Sequence, residues 1–226
     1  MHSTRYLVLF DCDGTLVDSQ HAIIQSMHVA FEKVGLAIPD KNTVRRTVGL
    51  SLNDGVRQIV GGLDDQTYDK ICQAYSQYWR QLRNTQTLKE PLYPGADETV
   101  RALHAQGWLL GMATGKSHRG LIETLTSHQL LDCFHTLQTA DRTRGKPHPE
   151  MVHVALDESA CDVKNTILIG DTTFDMEMAK SAHVTAVGVN WGYHDKDALL
   201  SAGATAVLDT FAELLTFLND WKKSCV

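Results

Sequence analysis

"LVLFDCDGTLVDS", residues 7–19, decides how the rest of the chain is read. Four apolar residues run without a polar break. Two carboxylates follow, Asp11 and Asp13, with only Cys12 between them, and then Gly14 and Thr15. Continuous apolarity without a solvated face belongs to a strand covered on both sides, as in a parallel sheet flanked by helices. Carboxylates at the end of such a strand stand where open α/β sheets bind their ligands.

Downstream of residue 17 the period changes. Ile23, Met27, Ala30, Phe31 and Val34 fall at helical spacing over 18–37, and Asp18 or Ser19 is placed to cap the start. Helical patterns continue through "DKNTVRRTVGL", "SLNDGVRQIVGGL" and "DQTYDKICQAYSQYWRQLRN", and no strand pattern interrupts residues 17–91. Pro91, Pro94 and Gly95 then punctuate the chain. Beyond them the patterns alternate. Helices are expected over 96–106 and 117–126, from Pro149, and over 175–182 and 211–221. Strands are expected at "WLLGMAT", 135–138, "TILIGD", "VTAVGV" and 205–208. Such alternation means βαβ units and a mostly parallel sheet. The fold class is therefore α/β: a Rossmann-like core, residues 1–16 and 92–226, with an inserted all-helical domain at 17–91. That insertion leaves the core directly after the Asp11–Asp13 strand end, where it can serve as a lid.

Right-handed crossovers bring the strand ends to one rim. Asp11 and Asp13 lie there, with Thr114, Gly115 and Lys116, with Lys146 in the loop "RGKPHPE", and with Asp171 and Asp175. Three clustered carboxylates repel one another unless a cation sits among them. Hard oxygen donors, few of them from protein, suit Mg²⁺, which shares its shell with phosphate oxygens. A lysine and a threonine hydroxyl suit the phosphoryl group itself. Taken singly, each residue has a plainer reading: Asp-x-Asp-Gly as a turn, Thr114 as a helix cap, Lys146 as a surface lysine, Asp175 as a helix N-terminal acid. Their joint occurrence at successive strand ends favours the site. "GMATGKS" (111–117) imitates a phosphate-binding loop, but Gly111 and Gly115 have three residues between them where that loop has four.

Composition narrows the class further. The 226 residues carry a formal net charge of −6 with no block of like charges, so neither nucleic acid nor an acidic membrane surface is an expected partner. The longest apolar runs fall far short of a membrane span, and the N-terminus does not read as a secretory signal. Five cysteines (Cys12, Cys72, Cys133, Cys161 and Cys225) without a C-x-x-C pair favour free thiols and a cytoplasmic setting.

"DCDGTLVDS", "ATG", "GKPHPE" and "GDTTFD" resemble, in order, the four motifs of the haloacid-dehalogenase-like phosphohydrolases. The helical insertion resembles that superfamily's helical cap. The likeness covers nearly the whole chain and is strongest to the phosphoglycolate-phosphatase-like branch. It implies Asp11 as the nucleophile that forms an aspartyl-phosphate and Asp13 as general acid and base. It also implies Mg²⁺ held by Asp11, the Asp13 carbonyl and Asp171, with Asp175 in support. Thr114, Gly115 and Lys146 would hold the phosphoryl oxygens. Cys12 departs from the larger apolar residue usual at its position and is expected to point into the core. Arg45 and Arg46 in the insertion are candidates for reading a substrate carboxylate. The implied substrate is a small phosphorylated metabolite. A phosphomutase of the β-phosphoglucomutase type, a pyrophosphatase and a nucleotidase remain open on the same scaffold, and oligomeric state is not legible.

Overall fold

The structure, a computed structural model, describes residues 4–224. Leu7–Phe10 forms β1, and the insertion folds as α1 (Gln20–Val34), α2 (Lys41–Arg45), α3 (Leu52–Ile59) and α4 (Asp65–Asn84). The core resumes with α5 (Ala96–Ala105), β2 (Leu109–Thr114), α6 (His118–Ser127), β3 (Thr136–Thr139) and α7 (Glu150–Ser159). It continues through β4 (Thr166–Gly170), α8 (Thr173–Ser181), β5 (Thr185–Val189), α9 (Lys196–Ala202), β6 (Ala206–Leu208) and α10 (Phe211–Ser224). The expected elements form within a few residues of their expected ends, except in "DKNTVRRTVGL". There, Asp40 caps α2 through the Asn42 and Thr43 amides. The amides of Thr47, Val48 and Leu50 then bond three residues back, to Val44, Arg45 and Thr47, so the chain turns instead of extending the helix.

All strand pairs are parallel, in the order β3-β2-β1-β4-β5-β6. β1 lies between β2 and β4, where the winding direction reverses, and that switch point is where such sheets bind ligands. The apolar run of β1 serves both faces. Val8 and Phe10 pack with Val100, Leu103, Met112 and Leu214, and Leu7 and Leu9 pack with Met151, Val152, Met176 and Ala179. Burying each such side chain contributes about 1.5–3 kcal/mol. Cys12 continues the first face and is fully buried there, as expected. The helical insertion has a core of its own, built on Met27, Phe31, Val44, Val56 and Ile71. Cys12, Cys72, Cys133 and Cys161 are free thiols, and Cys225 lies outside the described residues. Among the described residues no helix is long and apolar enough to cross a membrane.

Candidate active site

β1 delivers Asp11 to the rim: its amide donates to the Ile169 carbonyl at 2.9 Å, one step beyond the ladder of β1 with β4. The chain then turns sharply, with the Leu16 and Val17 amides both donating to the Cys12 carbonyl. Gly14 makes the turn possible. Its φ is +90°, and a Cβ there would run into Asp171 Oδ2 and the Tyr193 ring. Asp11 and Asp13 are thereby sent to different partners, although residues two apart on a strand start on one face.

Asp11 Oδ1 lies 2.8 Å from Lys146 Nζ, and the same ammonium lies 2.6 Å from Asp175 Oδ1. Lys146 is 2% exposed, far from the solvated lysine its type alone suggests. It precedes Pro147 through a cis peptide bond. Asp175 is the third residue of α8. Its Oδ2 accepts from the Thr172 amide (3.1 Å) and hydroxyl (2.7 Å), closing a capping box that fixes the carboxylate. Asp171 follows β4 and accepts from the Thr15 hydroxyl (2.9 Å) and the Tyr193 amide (2.8 Å). Ligand atoms of Asp11, Asp171 and Asp175 all lie within 4.8 Å of one another.

Asp13 belongs to a second cluster. The Ser19 hydroxyl donates to it at 2.5 Å, and Lys116 Nζ reaches both its oxygens at 2.7 and 3.0 Å. Ser19 does occupy the N-cap position of α1, but its hydroxyl makes no capping bond there. It turns to Asp13 instead, because donating to a buried carboxylate is a stronger, charge-assisted bond than accepting from a neutral backbone amide. Lys116 is the participant that sequence reasoning left without a role. Its only signal was its place directly after Thr114 and Gly115.

Above these groups lies a cavity of about 320 Å³, walled by both domains. Its core side includes Asp11, Asp13, Thr114, Gly115 and Lys116, and its insertion side Ile23, Met27, Tyr75, Trp79 and residues 47–52. Gly115 sits where the insertion meets the core, and a Cβ there would strike the Leu50 carbonyl oxygen. Arg45 and Arg46 do not border the cavity. Val44, Thr47 and Val48 are buried, which turns Arg46 outward to an exposed position and leaves Arg45 half-buried. Arg80 and Arg119 line it instead. Because neither side chain borders the cavity, Arg45→Ala and Arg46→Ala are expected to leave KM within about 2-fold of wild type. Steady-state kinetics of the two variants checks this.

Burial governs the charges. It pushes Asp11 up to about 7, against the opposing pull of Lys146 and with added repulsion from Asp175. Asp171 is held well above the carboxylate range by burial and then by Asp11 and Asp175. Lys146 stays charged, because Asp11 and Asp175 outweigh the burial that would neutralise it. Three carboxylates thus face one ammonium, and Asp11 Oδ2 is buried without a hydrogen-bond partner. An unpartnered buried oxygen inside an excess of negative charge fits a small divalent cation. Asp175 is committed to Lys146 and Thr172 and Asp171 to Thr15 and Tyr193, so the open oxygen is Asp11 Oδ2, with the Asp171 carboxylate close enough to share an ion.

A buried carboxylate with an ammonium on one oxygen, set below a covered cavity at a sheet switch point, is arranged for attack on a bound substrate. The chain belongs to the haloacid dehalogenase-like hydrolase family, whose model matches residues 8–189. It is 34% identical over 213 residues to "Probable phosphatase IndB" of Dickeya dadantii (strain 3937), with 92% of this chain and 91% of the relative covered. It is 26% identical over 216 residues to a phosphoglycolate phosphatase of Nitrosococcus oceani, covering 94% and 96%. A solved hydrolase structure from Pseudomonas syringae superposes with a TM-score of 0.84 at 23% identity over 96% of this chain and 99% of that one, a likeness of fold. The chain is an enzyme, a phosphatase of the phosphoglycolate-phosphatase-like branch.

Proposed function

We propose that the enzyme is a Mg²⁺-dependent hydrolase of a small phosphomonoester, working through an aspartyl-phosphate on Asp11, with residues 17–91 as its cap. The observation that carries this reading is the state of Asp11: 1% exposed, gripped by Lys146 on one oxygen and unpartnered on the other, on the floor of the cavity.

Asp11 attacks phosphorus, the bond to the leaving oxygen breaks, and Asp13 supplies the proton that turns that oxygen into an alcohol. Asp13 then takes a proton from a water that attacks the acyl phosphate and frees Asp11. The Thr114 hydroxyl, the Gly115 amide and the Lys146 ammonium hold the transferring oxygens. Asp175 orients Lys146 and keeps it charged. Asp11 and Asp171 would hold Mg²⁺, which offsets the repulsion between a carboxylate and a phosphate dianion. The cap closes over the substrate and excludes water.

The test is phosphate release from phosphoglycolate, a sugar phosphate, a nucleoside monophosphate and pyrophosphate, with Mg²⁺ or with excess chelator. Release that requires Mg²⁺ is the expected result, and the fastest substrate defines the leaving group. Undiminished release in chelator would remove the metal from the reading. Isomerised sugar phosphate without free phosphate would replace hydrolysis by a mutase reaction.

A further inference from the structure

The Lys116 ammonium is shared. Besides Asp13 it touches Glu90 Oε1 at 3.0 Å, and the side chains of Lys116 and Glu90 are 9% and 6% exposed. Glu90 has no part in the chemistry above, yet it is among the most completely partnered acids in the chain. Its Oε2 accepts from Arg83 Nη2 at 2.9 Å, the Thr124 hydroxyl lies 3.3–3.4 Å from both oxygens, and its carbonyl meets His128 Nε2 at 2.8 Å. Arg83 also pairs with Glu123 at 3.1 Å, and Glu123 with Arg119 at 2.9 Å. Three anions and three cations therefore alternate in one line, from Asp13 through Lys116, Glu90, Arg83 and Glu123 to Arg119.

The line's location matters more than its length. Glu90 lies where the chain returns from the cap to the core. Its neighbour Pro91 accepts the Asp18 amide of the outgoing segment at 2.8 Å, and Leu92 bridges Val17. Thr124, Glu123 and His128 belong to or follow α6 of the core, whereas Arg83 ends α4 of the cap. Glu90 is thus held from both domains at their joint, and its one remaining contact is with the lysine on Asp13. A buried ammonium between two carboxylates is placed by both, and loss of either lets it shift.

Resting on the reading of Asp13 as general acid, we infer that Glu90 is a positioning residue: it seats Lys116 on Asp13, and Arg83 makes that seat depend on where α4 of the cap lies. Correct placement of Asp13 is needed to protonate an alkoxide leaving group and much less for a p-nitrophenolate, which departs unaided. The contrast is read in kcat/KM, which ends with the leaving-group step and is blind to the later hydrolysis of the acyl phosphate.

The experiment compares the fastest alkyl ester of the panel above with p-nitrophenyl phosphate, for wild type, Glu90→Gln, Arg83→Gln and Asp13→Asn. General acid catalysis contributes about 10²–10⁴-fold. Glu90→Gln, which leaves the acid present but ill-placed, is expected to lower kcat/KM for the alkyl ester about 10- to 100-fold and for p-nitrophenyl phosphate less than about 3-fold. Arg83→Gln is expected to show the same selectivity to a smaller degree, and it carries the test if Glu90→Gln does not fold. Equal losses on both substrates, or none, would reduce Glu90 to a structural hinge residue and overturn the inference. A non-selective Asp13→Asn would instead overturn the underlying assignment of Asp13, so the two failures are distinguishable.

Discussion

Asp11→Asn is expected to abolish phosphate release, by at least about 10⁴-fold, while leaving the fold intact. The substitution is isosteric. An asparagine carbonyl can still accept from the Cys12 amide, now 2.7 Å from Asp11 Oδ1, and from Lys146. Its amide group replaces an oxygen that has no hydrogen-bond partner, and it removes one negative charge from a crowded trio. Stability should therefore hold or rise, even as the proposed nucleophile is lost. Parallel phosphate-release and melting measurements check both halves. Residual activity above a hundredth of wild type would disprove Asp11 as the nucleophile, and a collapsed melting temperature would show that its charge is structural.

Lys146→Met should damage both stability and activity. The ammonium is fully buried and is the shared counter-ion of Asp11 and Asp175. Removing one partner of a buried ion pair leaves uncompensated charge and costs about 3–5 kcal/mol. For a chain of this size that corresponds to a fall in Tm of roughly 10 °C. The sign of the pH dependence follows from Asp11, whose folded-state value of about 7 already exceeds its ordinary 3.8. Between those values the folded protein binds more protons than the unfolded chain, so stability falls as pH rises. Losing Lys146 pushes Asp11 further in the same direction. The variant should therefore regain stability on acidification from pH 7 toward pH 5 more strongly than wild type. Melting curves across that range in chelator decide it, and a variant as stable as wild type at pH 7 would mean that the carboxylates are already neutral in the metal-free enzyme.

Much of the fold was legible because its signals are local. The unbroken apolarity of "LVLF" requires a strand covered on both faces, and both faces are indeed packed. The change from an unbroken apolar run to helical spacing after residue 17 marks the insertion. Pro and Gly punctuation marks the return to alternating strands and helices. Asp11 and Asp171 stand out because each directly follows a strand, Asp175 because it lies in the first turn of the next helix, and Lys146 because its loop leads into one; a parallel topology sends all those ends to one rim. Arg45 and Arg46 show the limit of this kind of reading. A five-residue helix is too short for periodicity to say which way its side chains point, and the buried Val44, Thr47 and Val48 decided it. Ser19 shows another, since its position as N-cap was legible but the pull of Asp13 on its hydroxyl was not.

The α/β class, the place of the helical insertion and the carboxylates and lysine of the rim could all be read along the chain. These depend on residue type and on spacing along the chain. Folding divides the charges, Lys146 between Asp11 and Asp175, Lys116 between Asp13 and Glu90. It also joins Glu90 to Asp13, 77 positions away by their numbers. The reason is physical. Ion pairing in a buried site depends on distances of a few ångströms and on how far water is excluded, and neither exists until the sheet has formed and the helical insertion has packed against it.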